Sequence, residues 1–163
     1  MDMKRLFEQF VKDNFDKAYR FAYTYTRDHH DAEDVLNESL LKAWKSIGSL
    51  RDEKNMRAWF YKIISNTALT YLKKQGSLIT MEDCDLERLE FFEDKYDDGG
   101  FEKMISSLPE KYKEIIVLRF FEEMSLSEIS KVLGVKENTV KTRLYRALEI
   151  LKIDIEREIR WIS

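Results

Sequence analysis

The stretch Ser125 to Leu148, SLSEISKVLGVKENTVKTRLYRAL, decides how the rest of the chain is read. Ser125 and Glu128 stand three residues apart, the spacing of a capping box in which each side chain satisfies a backbone donor at a helix start. Ile129, Val132 and Leu133 give that helix one apolar face, and Gly134 supplies the backbone freedom for a left-handed turn residue. A second helix follows. Projected at about 100° per residue, Val140, Leu144, Ala147 and Leu151 share one stripe, with Asn138, Thr142, Tyr145 and Arg146 roughly opposite. Between Lys136 and Arg146, the cations Lys136, Lys141, Arg143 and Arg146 accompany one anion, Glu137, and such a cluster attracts phosphates. The pattern predicts a helix-turn-helix whose second helix enters the major groove of DNA. The alternative is an ordinary helical hairpin with a solvated charged face.

The surrounding chain is helix-favouring throughout. Among its 163 residues are one Pro and five Gly, and Leu, Lys and Glu are frequent. It begins at Met1 without an apolar leader, and no run approaches the roughly 18 apolar residues needed to span a bilayer, so a soluble cytoplasmic protein is expected. Cys84 is the single cysteine, which excludes an internal disulfide. The net charge of −3 divides unevenly: residues 1–75 carry 14 Lys or Arg against 11 Asp or Glu, residues 76–100 carry 2 against 9, and residues 101–163 carry 12 against 11. The acidity sits in the middle, leaving both flanks free to approach DNA.

Toward the N-terminus, Leu6, Phe7, Phe10, Val11, Phe15, Ala18, Tyr19, Ala22 and Tyr25 recur at spacings of three and four, predicting a long core helix. Asp31 is the expected N-cap of a second helix burying Ala32, Val35, Leu36, Leu40, Ala43, Trp44 and Ile47, with Glu33, Asp34 and Glu38 on its acidic face. His29 and His30 are adjacent, and adjacent residues rarely converge on one metal ion, so a solvent-facing turn is expected there. Gly48 closes the second helix. A third runs from about Met56 to Lys74, burying Met56, Phe60, Ile63, Ile64, Thr67 and Tyr71 and leaving Lys62, Ser65, Asn66, Leu69 and Lys73 on a far side that is either a binding face or plain solvated surface.

Gly76 to Gly100 reads as an acidic linker whose carboxylates repel one another. A second domain starts near Phe101. Ser107 and Glu110 form a further candidate capping box around Pro109, and Tyr112, Ile115, Ile116, Leu118 and Phe120 supply a core. Past Ala147 the last helix continues through Ile150, Leu151, Ile155, Ile159 and Trp161. No glycine-rich phosphate loop and no Cys and His set at metal-ligand spacing occurs, so neither an enzyme nor a cofactor is expected.

Taken together, these residues resemble a bacterial RNA polymerase sigma factor of the sigma-70 family, extracytoplasmic-function (ECF) type. Asp31-Ala32-Glu33-Asp34-Val35-Leu36-Asn37-Glu38 with Ala43-Trp44 is similar to the family's polymerase-binding helix. Arg57-Ala58-Trp59-Phe60-Tyr61-Lys62-Ile63-Ile64-Ser65-Asn66-Thr67-Ala68 resembles its −10-element helix, and Leu108 to Tyr112 together with Thr139 to Ala147 resembles its −35-element domain. The family often has Gln where Asn37 stands, an aromatic at Leu50 and Ser at Lys136.

The resemblance implies an all-α protein of two small helical domains, region 2 over residues 1–75 and region 4 over 101–163, joined by the acidic linker 76–100. It implies that Asp31, Glu33, Asp34, Asn37 and Glu38 dock on the clamp helices of the polymerase's largest subunit. Leu50, Lys62, Ser65, Asn66 and Lys73 would hold the opened −10 strand. Arg119, Lys136, Asn138, Thr139, Lys141, Thr142, Arg143, Tyr145 and Arg146 would read the −35 duplex. An anti-sigma factor is a further implied partner, and no metal or cofactor is implied. The rival reading of the residues alone is a stand-alone transcriptional regulator that binds an operator through its helix-turn-helix.

Overall fold

The computed structural model describes the backbone of residues 2–76, 105 and 108–162, with side chains to residue 152. The acidic linker, the Ser107 cap and the side chains of Ile155, Ile159 and Trp161 lie outside the described residues. Every regular element among those described is helical.

Helix α1 spans Met3–Thr26, with Asp2 accepting from the Lys4 backbone N–H as N-cap. It bends at Asn14, whose backbone leaves helical geometry (φ −122°, ψ 15°) and whose side-chain amide donates to the Phe10 carbonyl at 2.9 Å. Helix α2 spans His29–Ser46. Its N-cap is Asp28 rather than the expected Asp31: the Asp28 carboxylate accepts from the Asp31 N–H at 2.9 Å, which places Asp31 in the first turn. Ile47, not the expected Gly48, caps the end of α2; Gly48 lies inside a 3-10 turn at Ile47–Ser49, and that turn and another at Glu53–Asn55 lead into α3, Met56–Lys74.

These three helices pack on one another around Phe7, Phe21, Ala22, Val35, Leu36, Phe60 and Ile64. Rings fill the centre: Phe7 meets Phe60 edge-on at 5.2 Å and Phe21 stacks on Tyr61 at 5.1 Å. Each fully buried phenyl contributes roughly 2 to 3 kcal/mol by leaving water. Ile63 and Tyr71, expected in the buried stripe, are only half-buried, and Trp44 is exposed.

In the second half, α4 spans Glu110–Ile116 and continues as a π-helical turn over Val117–Phe121. Tyr112, Ile115, Ile116 and Leu118 are buried as expected. Phe120 is not: the wider π turn carries it past the core face, and it is half exposed. Helix α5, Leu126–Leu133, has both capping-box bonds, Glu128 N–H to Ser125 Oγ at 3.1 Å and Ser125 N–H to Glu128 Oε1 at 3.4 Å. Gly134 takes the left-handed conformation (φ 67°) that ends it. Helix α6, Glu137–Ile162, buries Val140, Leu144, Ala147 and Leu151 against α4 and α5. The two halves pack directly on each other, α5 on α3 and α4 on α1.

Candidate nucleic-acid and polymerase interfaces

The helix-turn-helix presents α6 as its sequence requires. Because Val140, Leu144 and Ala147 are pulled into the core, the 100° step turns Asn138, Lys141, Thr142, Tyr145 and Arg146 outward, with Tyr145 59 % exposed. Lys136 is exposed just before the helix, and Thr139 is half-buried. The Thr142 hydroxyl donates back to the Asn138 carbonyl at 2.9 Å, fixing its rotamer. Arg143 differs from its neighbours: it is half-buried and its charge acts on Glu114 of α4. Arg119 is exposed, yet its guanidinium donates to the Met124 carbonyl at 2.8 Å and so secures the loop entering α5.

On α3, Lys62, Asn66 and Lys73 are exposed and share one side of the helix. Leu50 is half-buried in the loop after the 3-10 turn, its N–H bonded to the Ile47 carbonyl at 3.1 Å. Ser65 departs from the expected outer face. It is 2 % exposed and its hydroxyl is bonded at 2.9 Å to Tyr25 of α1, the same phenol that donates to Glu114 of the second half. Leu69 is half-buried.

On α2, Glu33, Asp34, Asn37 and Glu38 are all exposed, and Glu38 forms an ion pair with Lys42 at 3.5 Å. Asp31 is set apart. It is half-buried and accepts from the Tyr71 hydroxyl at 2.5 Å, a bond that pushes the Tyr71 pKa up to about 12 and ties α2 to α3. Beside the acidic stripe lie Leu41, 62 % exposed, and Trp44, 40 % exposed, on the rim of an open groove of about 580 Å³ between α1 and α2. The Lys4 ammonium sits 5.2 Å from the Trp44 ring centre, which keeps the indole at the surface. His29 is exposed, with Nδ1 hydrogen-bonded to the Tyr19 hydroxyl at 2.6 Å and its ring stacked on Tyr19. Among the described residues no group of three or more His, Cys, Asp or Glu is placed to hold a metal ion, and no helix is long and apolar enough to cross a membrane.

What sequence reading missed is the junction between the halves. Tyr25 donates to Glu114 at 2.7 Å, Tyr61 donates to Glu122 at 2.7 Å, and Arg57 grips both oxygens of Glu128 at 2.8 and 2.9 Å while donating to the Glu122 carbonyl at 3.1 Å. Arg27 pairs with Glu110 at 3.6 Å, and Arg20 lies 3.9 Å from Glu122 and over the Phe121 ring. Burial raises the pKa of Glu122, partly offset by the Tyr61 hydrogen bond and the Arg20 charge. Burial also acts upward on Glu128, but the Arg57 hydrogen bonds and charge outweigh it and hold that carboxyl below its ordinary value. The fourfold spacing of Arg57, Tyr61 and Ser65 marks one side of α3 but does not point to its partners, which lie more than sixty residues away.

Fold and surfaces define an all-helical protein with a three-helix N-terminal half and a helix-turn-helix in its C-terminal half. The family model of Sigma-70 region 2 matches residues 10–78, and that of Sigma-70, region 4 matches residues 99–151. Over 159 residues the chain is 40 % identical to the RNA polymerase sigma factor SigV of Bacillus subtilis, covering 95 % of this chain and 94 % of that protein. It is 29 % identical to the ECF sigma factor SigW of the same organism, over 84 % of this chain and 82 % of that one. Two solved structures share the fold at 23 % identity. One is the sigma factor RpoE in complex with the anti-sigma factor NepR from Bartonella quintana (TM-score 0.70, 91 % of this chain and 98 % of that one). The other is CnrH in complex with the cytosolic domain of CnrY (TM-score 0.66, 94 % and 89 %).

The chain belongs to the sigma-70 family of RNA polymerase sigma factors, ECF type. Its function is that of the family, a transcription initiation factor that directs polymerase to promoters.

Proposed function

We propose that this chain divides promoter recognition among its helices. The acidic stripe of α2, Glu33, Asp34, Asn37 and Glu38, docks on the clamp helices of the polymerase's largest subunit. Lys62, Asn66 and Lys73 on α3, with Leu50 in the preceding loop, hold the displaced −10 strand. The outer face of α6 reads the −35 duplex. On this reading residues 1–75 act as region 2, residues 101–163 as region 4, and the acidic segment 76–100 joins them. The protein works in the cytoplasm without a cofactor, and an anti-sigma factor sequesters it.

The observation that carries the reading is the α6 face. Lys141, Tyr145 and Arg146 stand exposed on a helix held by a capped α5 and a left-handed Gly134, the posture of a recognition helix. Arginine paired bidentately with guanine discriminates by roughly 1 to 3 kcal/mol, whereas a phosphate contact weakens all sequences alike.

The test is reconstitution of the purified chain with core polymerase on a promoter it transcribes. Arg146→Ala should relax preference at one or two upstream positions, and Asp34→Lys with Glu38→Lys should lower affinity for core polymerase. Tight sequence-specific duplex binding by the chain without polymerase would favour an operator-binding regulator instead. Unchanged polymerase affinity in the charge-reversed variant would remove α2 from the docking surface.

A further inference from the structure

Five polar side-chain pairs between the two halves share a direction. The five named pairs place the carboxylate on the second half and the phenol or guanidinium on the first: Arg27 to Glu110, Tyr25 to Glu114, Tyr61 and Arg20 to Glu122, Arg57 to Glu128. The partners differ in kind. Glu128 receives a full cationic fork and remains partly exposed, whereas Glu114 and Glu122 are carried almost out of water and receive a phenol at 2.7 Å. A phenol donates one hydrogen bond but brings no charge, so it compensates an ionised carboxylate less than a guanidinium does. Glu122 Oε1 is buried with no hydrogen-bond partner, and the cation nearest to it, Arg20 Nη2, stands 3.9 Å away, too far for a hydrogen bond. Separating the halves would return both groups to water.

We propose that the docking of the second half on α1 and α3 is a proton-linked latch. Closure buries Glu114 and Glu122 against Tyr25 and Tyr61 and takes up protons, rising pH releases it, and the Arg57–Glu128 pair is its non-titrating pin. The other groups facing these carboxylates preserve that sign. Glu114 meets Tyr25 from α1, Glu110 from its own helix and Arg143 from α6; burial dominates and lifts its carboxyl to about 7. Glu122 meets Tyr61 and Arg57 from α3 and Arg20 and Lys17 from α1, and burial still raises it. Arg57, Tyr61 and Ser65 lie along the edge of α3 next to Lys62 and Asn66, so release frees the edge adjoining the proposed strand-binding face. The latch itself is a property of the chain without polymerase or DNA, and its failure would leave the proposed promoter contacts standing.

The test uses the full chain with Cys84→Ser and fluorophores at Lys45→Cys and Lys131→Cys, both exposed positions away from the junction. Energy transfer should fall between pH 5.5 and 7.5, with Glu114 alone shifting the ratio of closed to open molecules roughly 20-fold. Glu114→Gln with Glu122→Gln should stay closed across the range. Arg57→Ala should weaken closure while closure still falls as pH rises. A flat wild-type profile, or an unchanged slope in the Gln variant, would overturn the proposal. Should the double variant lose helicity, carboxyl-carbon NMR of Glu-labelled wild type decides. A carboxyl titrating near 7 that Glu114→Gln removes supports the latch; titration of every Glu at the ordinary value refutes it.

Discussion

Asn66 and Ser65 are consecutive on α3, yet one is exposed and the other is 2 % exposed and bonded to Tyr25. An amide at the surface offers two donors and an acceptor to a base that has left its stack, while a serine hydroxyl committed to a phenol offers nothing until that bond breaks. Asn66→Ala should therefore leave thermal stability within about 0.5 kcal/mol of wild type, as for other exposed positions. On a duplex promoter with core polymerase it should slow open-complex formation and alter preference at one −10 base, read by permanganate footprinting. Lost stability with unaltered preference would assign Asn66 a structural role. The apolar stripe of α3 was largely legible because leucines, isoleucines and rings declare their side by period. Ser65 was not, since a buried serine with a partner has the same sequence signature as a solvated one. Arg57 and Tyr61 share that ambiguity: their polar tips meet Glu128 and Glu122, groups more than sixty positions away that no local pattern connects to them.

Individual elements were legible where the backbone chemistry is local. Ser125, Glu128 and Gly134 declare the start and end of α5 through a reciprocal cap and a positive φ, and both are present. Ser125→Ala should remove the acceptor for the Glu128 N–H and cost about 1 kcal/mol, measured by urea unfolding. An unchanged midpoint would show that the Arg57 grip on Glu128 is enough to hold this helix start. The failures at this scale are also physical. The π turn at Val117–Phe121 shifts the register by one residue, so a 3.6-residue period extended through it sends Phe120 to the core when it faces outward. Trp44 fits the buried period of α2, but the Lys4 cation accommodates its ring at the rim of a groove. At the α2 start, Asp28 and Asp31 are both competent caps, and the Asp31 bond to Tyr71 leaves the capping position to Asp28.

Over the whole molecule, two halves and a helix-turn-helix were legible, whereas their mutual docking was not, because it rests on polar pairs distant in sequence rather than on a period. That docking sets the response of stability to pH. Burial raises Glu114 to about 7 in the folded chain, against an ordinary value of 4.5. Between those values the unfolded chain binds fewer protons, so the contribution of Glu114 is fully present below 4.5, is lost as pH rises to 7 and stays lost above. The loss amounts to about 3 kcal/mol. Glu128, held low by Arg57, has the opposite sign, contributing above the ordinary carboxylate value and losing that contribution on acidification. Urea unfolding at pH 5 and 7.5 should show the decline in wild type and a flatter profile in Glu114→Gln; equal slopes would mean that Glu114 is ionised when buried. The Arg57–Glu128 pair calls for a double-mutant cycle, since Glu128→Ala removes the capping box as well as the ion pair. Both side chains are about one-third exposed, at 33 % and 30 %, so screening limits the pair, but its bidentate geometry places it above an ordinary surface bridge. A coupling of about 1 kcal/mol is expected at pH 7, smaller in high salt. Strictly additive single losses would mean that the pair marks where the halves meet without holding them together.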